Sequence, residues 1–232
     1  SSQAVSEERY YRIVTVPVPE GVVLEVGGMT TMSGGRLAIA TRRGEVWTID
    51  DPYMESGAPH FSRFAHGLHE PLGLAYRDGA LYASQRSELT KLVDRDGDGR
   101  ADRYETVYAW PLSGNYHEYS YGPVFTPEGN MLVTLNLGSF GQMESVVPWR
   151  GWMLEVTPGG SMTPVATGMR SPAGFTVTRD GAVFYAENQG DWIGSGYVAH
   201  VAPGDFVGNP AGLRWTDEPG VPERLRGLKP ED

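Results

Sequence analysis

The chain contains no cysteine. That excludes disulfides, thiolate catalysis and cysteine-ligated zinc or iron–sulfur centres, while leaving the compartment open. No apolar run approaches the roughly 18 residues of a membrane span, and no signal-peptide pattern stands at the first residues. Sustained helical periodicity is missing throughout. Positive charge is scarce: 19 Lys and Arg face 29 Asp and Glu, for a net charge of −10. Nucleic acid is therefore not an expected partner, because phosphate binding needs a basic face. The chain also lacks a Gly-x-Ser-x-Gly elbow, a Gly-x-x-x-x-Gly-Lys phosphate loop and a His-Glu-x-x-His pair. His66 and His69 lie three apart in a Gly- and Pro-containing loop, a spacing open to zinc but without a third ligand to support it.

What the chain has in excess is glycine and proline, 31 and 17 of 232 residues. With 40% hydrophobic and 11% aromatic residues it is not disordered, and its glycines lack the collagen period. Instead they punctuate short apolar strands. Four stretches begin at Gly28, Gly73, Gly122 and Gly174 and share one pattern: a glycine, an apolar strand, a turn glycine, a second strand. They recur at intervals of about 45–52 residues, the cadence of a β-propeller blade. Asp78-Gly79 and Asp180-Gly181 read as hairpins with two-residue primed turns.

Third strands follow at Glu45–Ile49, Leu89–Val93, Trp152–Val156 and Tyr197–Val201, and fourth strands at Phe61–Ala65, Tyr104–Ala109 and Met162–Ala166. The expected fold is all-β, a propeller of four-stranded antiparallel blades with four blades visible; a β-sandwich would not repeat one turn at this period. Residues 1–24 are expected to form an N-terminal extension with an outer strand at Tyr10–Val16. The blades would occupy 25–214, and a charged, Pro-rich tail without strand pattern 215–232. Most tryptophans are expected between blades, and the long insertion Leu137–Gly151, with Phe140, Gly141 and Met143, is a candidate partner contact.

The sharpest chemical signal is the stretch from Asp94 to Glu105. Asp94, Asp96, Asp98, Asp102 and Glu105 fall at positions 1, 3, 5, 9 and 12 of a calcium loop, with Gly99 at 6 and the Arg100 carbonyl at 7. Calcium wants six to eight oxygens, which a tight turn of alternating Asp can converge. The flanks alternate like strands, so the expectation is a calcium hairpin of structural role inside a blade. The alternative is a solvated acidic turn balanced by Arg95, Arg100 and Arg103.

Three loops leading into the inner strands are alike: His66–Gly73, Gly114–Gly122 and Gly168–Gly174. They would gather His, Glu, Asn and Arg at one end of the blades. The Arg170-Ser171-Pro-x-Gly segment, the Asn115-x-His117 loop and the Asp-Gly-x-Leu-Tyr turn resemble the soluble quinoprotein sugar dehydrogenases of the glucose/sorbosone type. The acidic loop, Gly-Asn-Tyr-His-Glu-Tyr at 114–119 and Glu187–Trp192 look more like their membrane-bound dehydrogenase branch.

The resemblance, over about residues 25–215, implies a six-bladed ring, pyrroloquinoline quinone (PQQ), calcium beside it and export to the periplasm or exterior. It also implies His117 as general base and Arg170 as the clamp for cofactor carboxylates, roles suited to an imidazole and a planar guanidinium. Ser171 stands where the family usually has Asn.

Because only four blades are visible, the favoured reading is a non-catalytic binding or assembly subunit of an envelope complex. Its open edges would be covered by protein partners, a membrane complex among the candidates; the other readings of an incomplete six-bladed ring are a chain that is part of a longer protein and a chain that closes as a smaller ring. The alternative is a PQQ- and calcium-dependent sugar or alcohol dehydrogenase. Carboxylate pairs for glycoside hydrolysis, being spatial, stay open.

Overall fold

The computed structural model describes residues 10, 11, 13–138, 146–189 and 194–231. Repeated hairpins build four antiparallel sheets in the arrangement of a four-bladed β-propeller. Blade 1 comprises β1 (Val26–Thr31), β2 (Leu37–Thr41), β3 (Val46–Asp50) and β4 (His60–Ala65). Blade 2 comprises β5 (Leu74–Arg77), β6 (Ala80–Ser84), β7 (Glu88–Val93) and β8 (Arg103–Ala109). Blade 3 comprises β9 (Ser120–Phe125), β10 (Met131–Leu135), β11 (Trp152–Val156) and β12 (Met162–Thr167). Blade 4 has, among the described residues, three strands, β13 (Gly174–Val177), β14 (Val183–Glu187) and β15 (Tyr197–Val201).

Turn chemistry explains the local order. Asp78 and Gly79 both have positive φ, 50° and 81°, as a two-residue primed turn between β5 and β6 requires. Asp180-Gly181 differs from its sequence reading: Thr178 N donates to Ala182 O and Gly181 N to Thr178 O, so only Gly181 turns left-handed in a longer loop. Residues 10, 11 and 13–16 are in no strand, and Arg12 lies outside the described residues. So do Phe140, Gly141 and Met143 of the long insertion and residues 190–193 of the Glu187–Trp192 motif.

Strands β6 (ALYAS) and β10 (MLVTL) are buried on both faces, because each lies in a sheet packed between two others. Their apolar runs are accordingly continuous rather than alternating. The core divides into three layers, one at each interface between consecutive blades. Leu74, Leu81 and Val46 join blades 1 and 2. Leu89, Trp110, Met131 and Trp152 join blades 2 and 3, and Met153, Tyr185 and Val201 join blades 3 and 4. Among the described residues no comparable layer joins blade 4 to blade 1.

The inner strands approach so closely that only glycine fits between them. A Cβ on Gly28 would stand 2.6 Å from Gly73 Cα, and one on Gly73 would stand 1.7 Å from Gly122 O. A Cβ on Gly122 would meet the Phe175 ring at 2.8 Å. Three of the four repeat glycines, Gly28, Gly73 and Gly122, are thus steric requirements at the axis, each aimed at the next blade.

After β15 the chain turns back over blade 3. Thr167 of β12 donates through N to Asp205 O and accepts at O from Val207 N. A 3-10 helix at Pro210–Trp215 brings Gly212 O to the buried Trp152 Nε1 at 2.7 Å. Leu213, Val221 and Leu225 are buried, the latter two joining the layer between blades 2 and 3. The strandless tail is therefore part of the core.

Gly73→Ala is expected to cost about 4 kcal/mol or more, because the new methyl group would overlap the Gly122 backbone, which cannot swing aside as a side chain can. Gly174→Ala, whose Cβ would have ordinary contact with Ala186 at 3.8 Å, should stay within about 0.5 kcal/mol of the parent. Urea unfolding of both variants measures the contrast.

Candidate functional site

The loops leading into β5, β9 and β13 and the segments that follow β2, β6, β10 and β14 share one end of the blades. There Glu70 links two blades. Its Oε1 accepts from Arg42 Nη2 at 3.1 Å and its Oε2 from Arg86 Nη1 at 2.7 Å. The Arg86 bond is the chief reason that the Glu70 carboxyl sits below the usual range, against a partial burial that works the other way. Both guanidinium groups lie over the Tyr119 ring, at 5.8 and 4.9 Å from its centre. Arg86 continues into the next loop, donating from Nη2 to Asn115 O at 2.8 Å.

His117 is half-buried in that loop. Its N–H donates to Asn115 Oδ1 at 2.9 Å, and its ring meets Tyr116 edge-on at 4.1 Å. The loop is fastened from below. Asn136, just past β10, donates from Nδ2 to His117 O and accepts at Oδ1 from Tyr119 N, both at 2.6 Å. Buried Glu118 accepts from Ser113 N and Oγ. Fully buried Arg150 donates to Tyr119 O at 2.9 Å and to Pro111 O at 3.2 Å. Desolvation pulls its guanidinium down to about 10, partly offset by Glu118, so it stays charged at neutral pH.

Arg170 and Ser171 sit on the neighbouring loop, and Glu187 at the end of β14 holds their backbone. Its Oε2 accepts from Arg170 N at 2.8 Å, and its Oε1 from Ser171 N at 2.6 Å and Asn188 N at 3.2 Å. Burial nevertheless raises the Glu187 carboxyl above the usual range, the three N–H groups only moderating the rise. Arg170 Nη1 donates to Gln189 O at 2.7 Å. Leu137 N, one residue beyond Asn136, donates to Arg170 O at 3.0 Å. Consecutive residues after β10 therefore tether the His117 loop and the Arg170 loop side by side.

The acidic loop between β7 and β8 lies on the outer part of blade 2. Carboxylate oxygens of Asp94, Asp96 and Asp102 come within 4.8 Å of one another. Asp94 also accepts from Gly97 N and Gly99 N, and Asp102 from Arg95 N. Asp98 turns its carboxylate to Arg100 N, and Glu105 on β8 pairs with Arg103 at 2.8 Å. Three of the five spaced carboxylates thus converge, while Asp98 and Glu105 are engaged elsewhere.

No family model and no curated protein matches the sequence. Solved structures do match in shape. An oxidoreductase described as a glucose dehydrogenase, from Thermus thermophilus, superposes with a TM-score of 0.64 at 20% identity over 81% of this chain and 66% of its own. The PQQ-bound aldose sugar dehydrogenase of Streptomyces coelicolor gives 0.64 at 15% identity, over 80% and 62% of the two chains. The soluble aldose sugar dehydrogenase of Escherichia coli, in its apo form, gives 0.64 at 13%, over 79% and 62%. The shared property is the propeller fold. The chain spans less than two thirds of the length of these structures.

Sequence reasoning had singled out His117, Arg170 and Ser171 but not Arg42, Arg86, Asn136 or Arg150. The first three of those four follow the second strand of blades 1, 2 and 3. Aligning the repeats there, rather than at the inner glycines, would have exposed them. Arg150 has no such signal, because its place depends on the fold around the long insertion.

Glu187→Gln replaces one accepting oxygen by an NH2 group amid backbone donors and should cost about 1–3 kcal/mol in urea unfolding at neutral pH. Because the folded protein holds the Glu187 proton more tightly than the unfolded chain, this group's contribution is fully present below the ordinary carboxylate range and is lost as pH rises through its folded value. The parent should therefore lose more stability than Glu187→Gln from about pH 4 to 7.

Proposed function

We propose that this chain is an extracytoplasmic propeller related to the PQQ-dependent sugar dehydrogenases and acts as a binding and assembly subunit of a larger envelope complex. The observation that supports this most is the fate of the fourth repeat glycine. Gly28, Gly73 and Gly122 each face the next blade too closely for a side chain, whereas Gly174 is exposed and, among the described residues, a Cβ there would meet only Ala186. The face it belongs to carries Phe184 and Val198, 37% and 72% exposed. At the other end of the row, Met29 of β1 is 61% exposed on the face turned away from blade 2. Both faces suit the inner strand of a further blade, contributed by a protein partner. Among the described residues no helix is long and apolar enough to cross a membrane.

A dehydrogenase activity is the second reading, favoured by the tethering of the His117 and Arg170 loops. Arg42 and Arg86 over Tyr119, with Arg170 on the neighbouring tethered loop, are a donor set that fits a planar tricarboxylate such as PQQ, with Arg170 as the carboxylate partner. When bound, PQQ supplies a two-electron acceptor for sugar oxidation. His117 would then take the hydroxyl proton of the sugar.

Native mass measurement on protein drawn from the envelope decides the ordering. The first reading expects a complex that Gly174→Leu reduces to the monomer while leaving urea stability unchanged. A parent protein that is monomeric overturns it. Dye-linked oxidation of aldoses restored by PQQ and calcium, and lost in His117→Ala, would place the dehydrogenase first.

Calcium is proposed at Asp94, Asp96 and Asp102, whose convergence suits a hard cation, with backbone carbonyls such as that of Arg100 and water completing the oxygens. Calcium should raise the melting temperature relative to chelator, and Asp96→Asn with Asp102→Asn should remove the rise. An unchanged melting curve in chelator would defeat the assignment.

A further inference from the structure

A cavity of about 580 Å³ opens between the outer strands of blades 1 and 2, and none of the central-end groups lines it. Its size lies in the range of small-ligand pockets. Trp47 of β3, Phe61 of β4 and Tyr104 of β8 provide aromatic walls, with Arg63, His66 and Arg100 among them. The stretch from Asp98 to Ala101 closes one side, and it is docked on blade 1 by Ala101 N donating to Phe64 O at 2.8 Å. Tyr104 is held in place through its hydroxyl, which accepts from His66 N at 3.1 Å and reaches His66 O at 3.3 Å.

Glu45 organises the opposite wall. Its Oε2 accepts from Trp47 Nε1 at 3.0 Å and its Oε1 from Arg63 Nη1 at 3.1 Å. Partial burial pulls the Glu45 carboxyl upward, but these bonds outweigh it and hold the group below the usual range, so it balances Arg63 at neutral pH. The adjoining carboxylates of Asp94, Asp96 and Asp102 oppose phosphorylated or carboxylated ligands. What remains is an aromatic cleft, close to neutral and edged with hydrogen-bond donors. Uncharged molecules with flat C–H faces and many hydroxyls have that complementary chemistry: the faces stack on the rings and the hydroxyls accept from the Arg and His side chains.

We propose that this cavity is a saccharide-binding site, separate from the central end. Titration of the full chain with cellobiose, maltotriose and N-acetylchitotriose, followed by calorimetry and tryptophan fluorescence, tests it. Saturable binding of at least one sugar is expected, weakened about tenfold or more in Trp47→Ala and in Arg100→Ala. Arg100 is an exposed loop residue, so its variant should melt with the parent and keeps the test valid should Trp47→Ala unfold. His117→Ala should bind as the parent does, which separates this site from any sugar site at the central end. No saturable binding of any of the three sugars, or binding unaffected in Arg100→Ala, overturns the proposal; so does binding lost in His117→Ala alone.

Discussion

Backbone-to-backbone approach at the axis is the constraint on which the rest of the structure depends. Where Gly28 faces Gly73 and Gly73 faces Gly122, the inner strands stand closer than any side chain allows. That proximity brings β6 and β10 into layers covered on both sides, where Leu81, Met131 and Leu135 lose all solvent contact. A parallel bridge between Leu72 and Tyr121 continues the contact toward the central end. The outer strands need no such approach, and their larger aromatic residues fill the widening wedge between blades.

The same geometry decides where polar groups can go. At the central end the wedge narrows, so charged side chains from different blades cannot avoid one another and are paired: Arg42 and Arg86 on Glu70, backbone N–H groups on Glu187. Arg150, although fully buried, finds carbonyls of the loop it supports, consistent with the cost of leaving a buried charge without hydrogen bonds. These clasps hold His117 and Arg170 on rigid loops, which a binding face requires. On the outer edge the wedge widens, leaving room for a cavity and for an acidic loop that spans from one blade to the next.

Much of this was legible in the sequence. The repeat glycines, the primed Asp78-Gly79 turn and the strands from β1 to β15 follow from local pattern, because turn chemistry and strand propensity act over a few residues. The Asp180-Gly181 turn was misread in length because Thr178, outside the dipeptide, closes the loop with its own backbone. The role of the tail was hidden for a different reason: Leu213, Val221 and Leu225 show no period, and their burial comes from surfaces on blades 2 and 3 far away in the chain.

By itself the sequence determined an all-β repeat, its blade count, its turns and the spacing of the acidic loop, all of which are short-range consequences of residue type. Only the tertiary structure decided that Asp94, Asp96 and Asp102 converge while Asp98 and Glu105 turn elsewhere, because carboxylate direction depends on which backbone N–H groups the folded loop presents. It alone decided that Arg42 and Arg86 share a carboxylate from a neighbouring loop, and that Trp47 and Tyr104, more than fifty residues apart, wall one cavity. It also decided that Gly174, which follows the same sequence pattern as the other repeat glycines, faces no inner strand among the described residues: steric need is a property of the neighbour, and the neighbour is set by the fold.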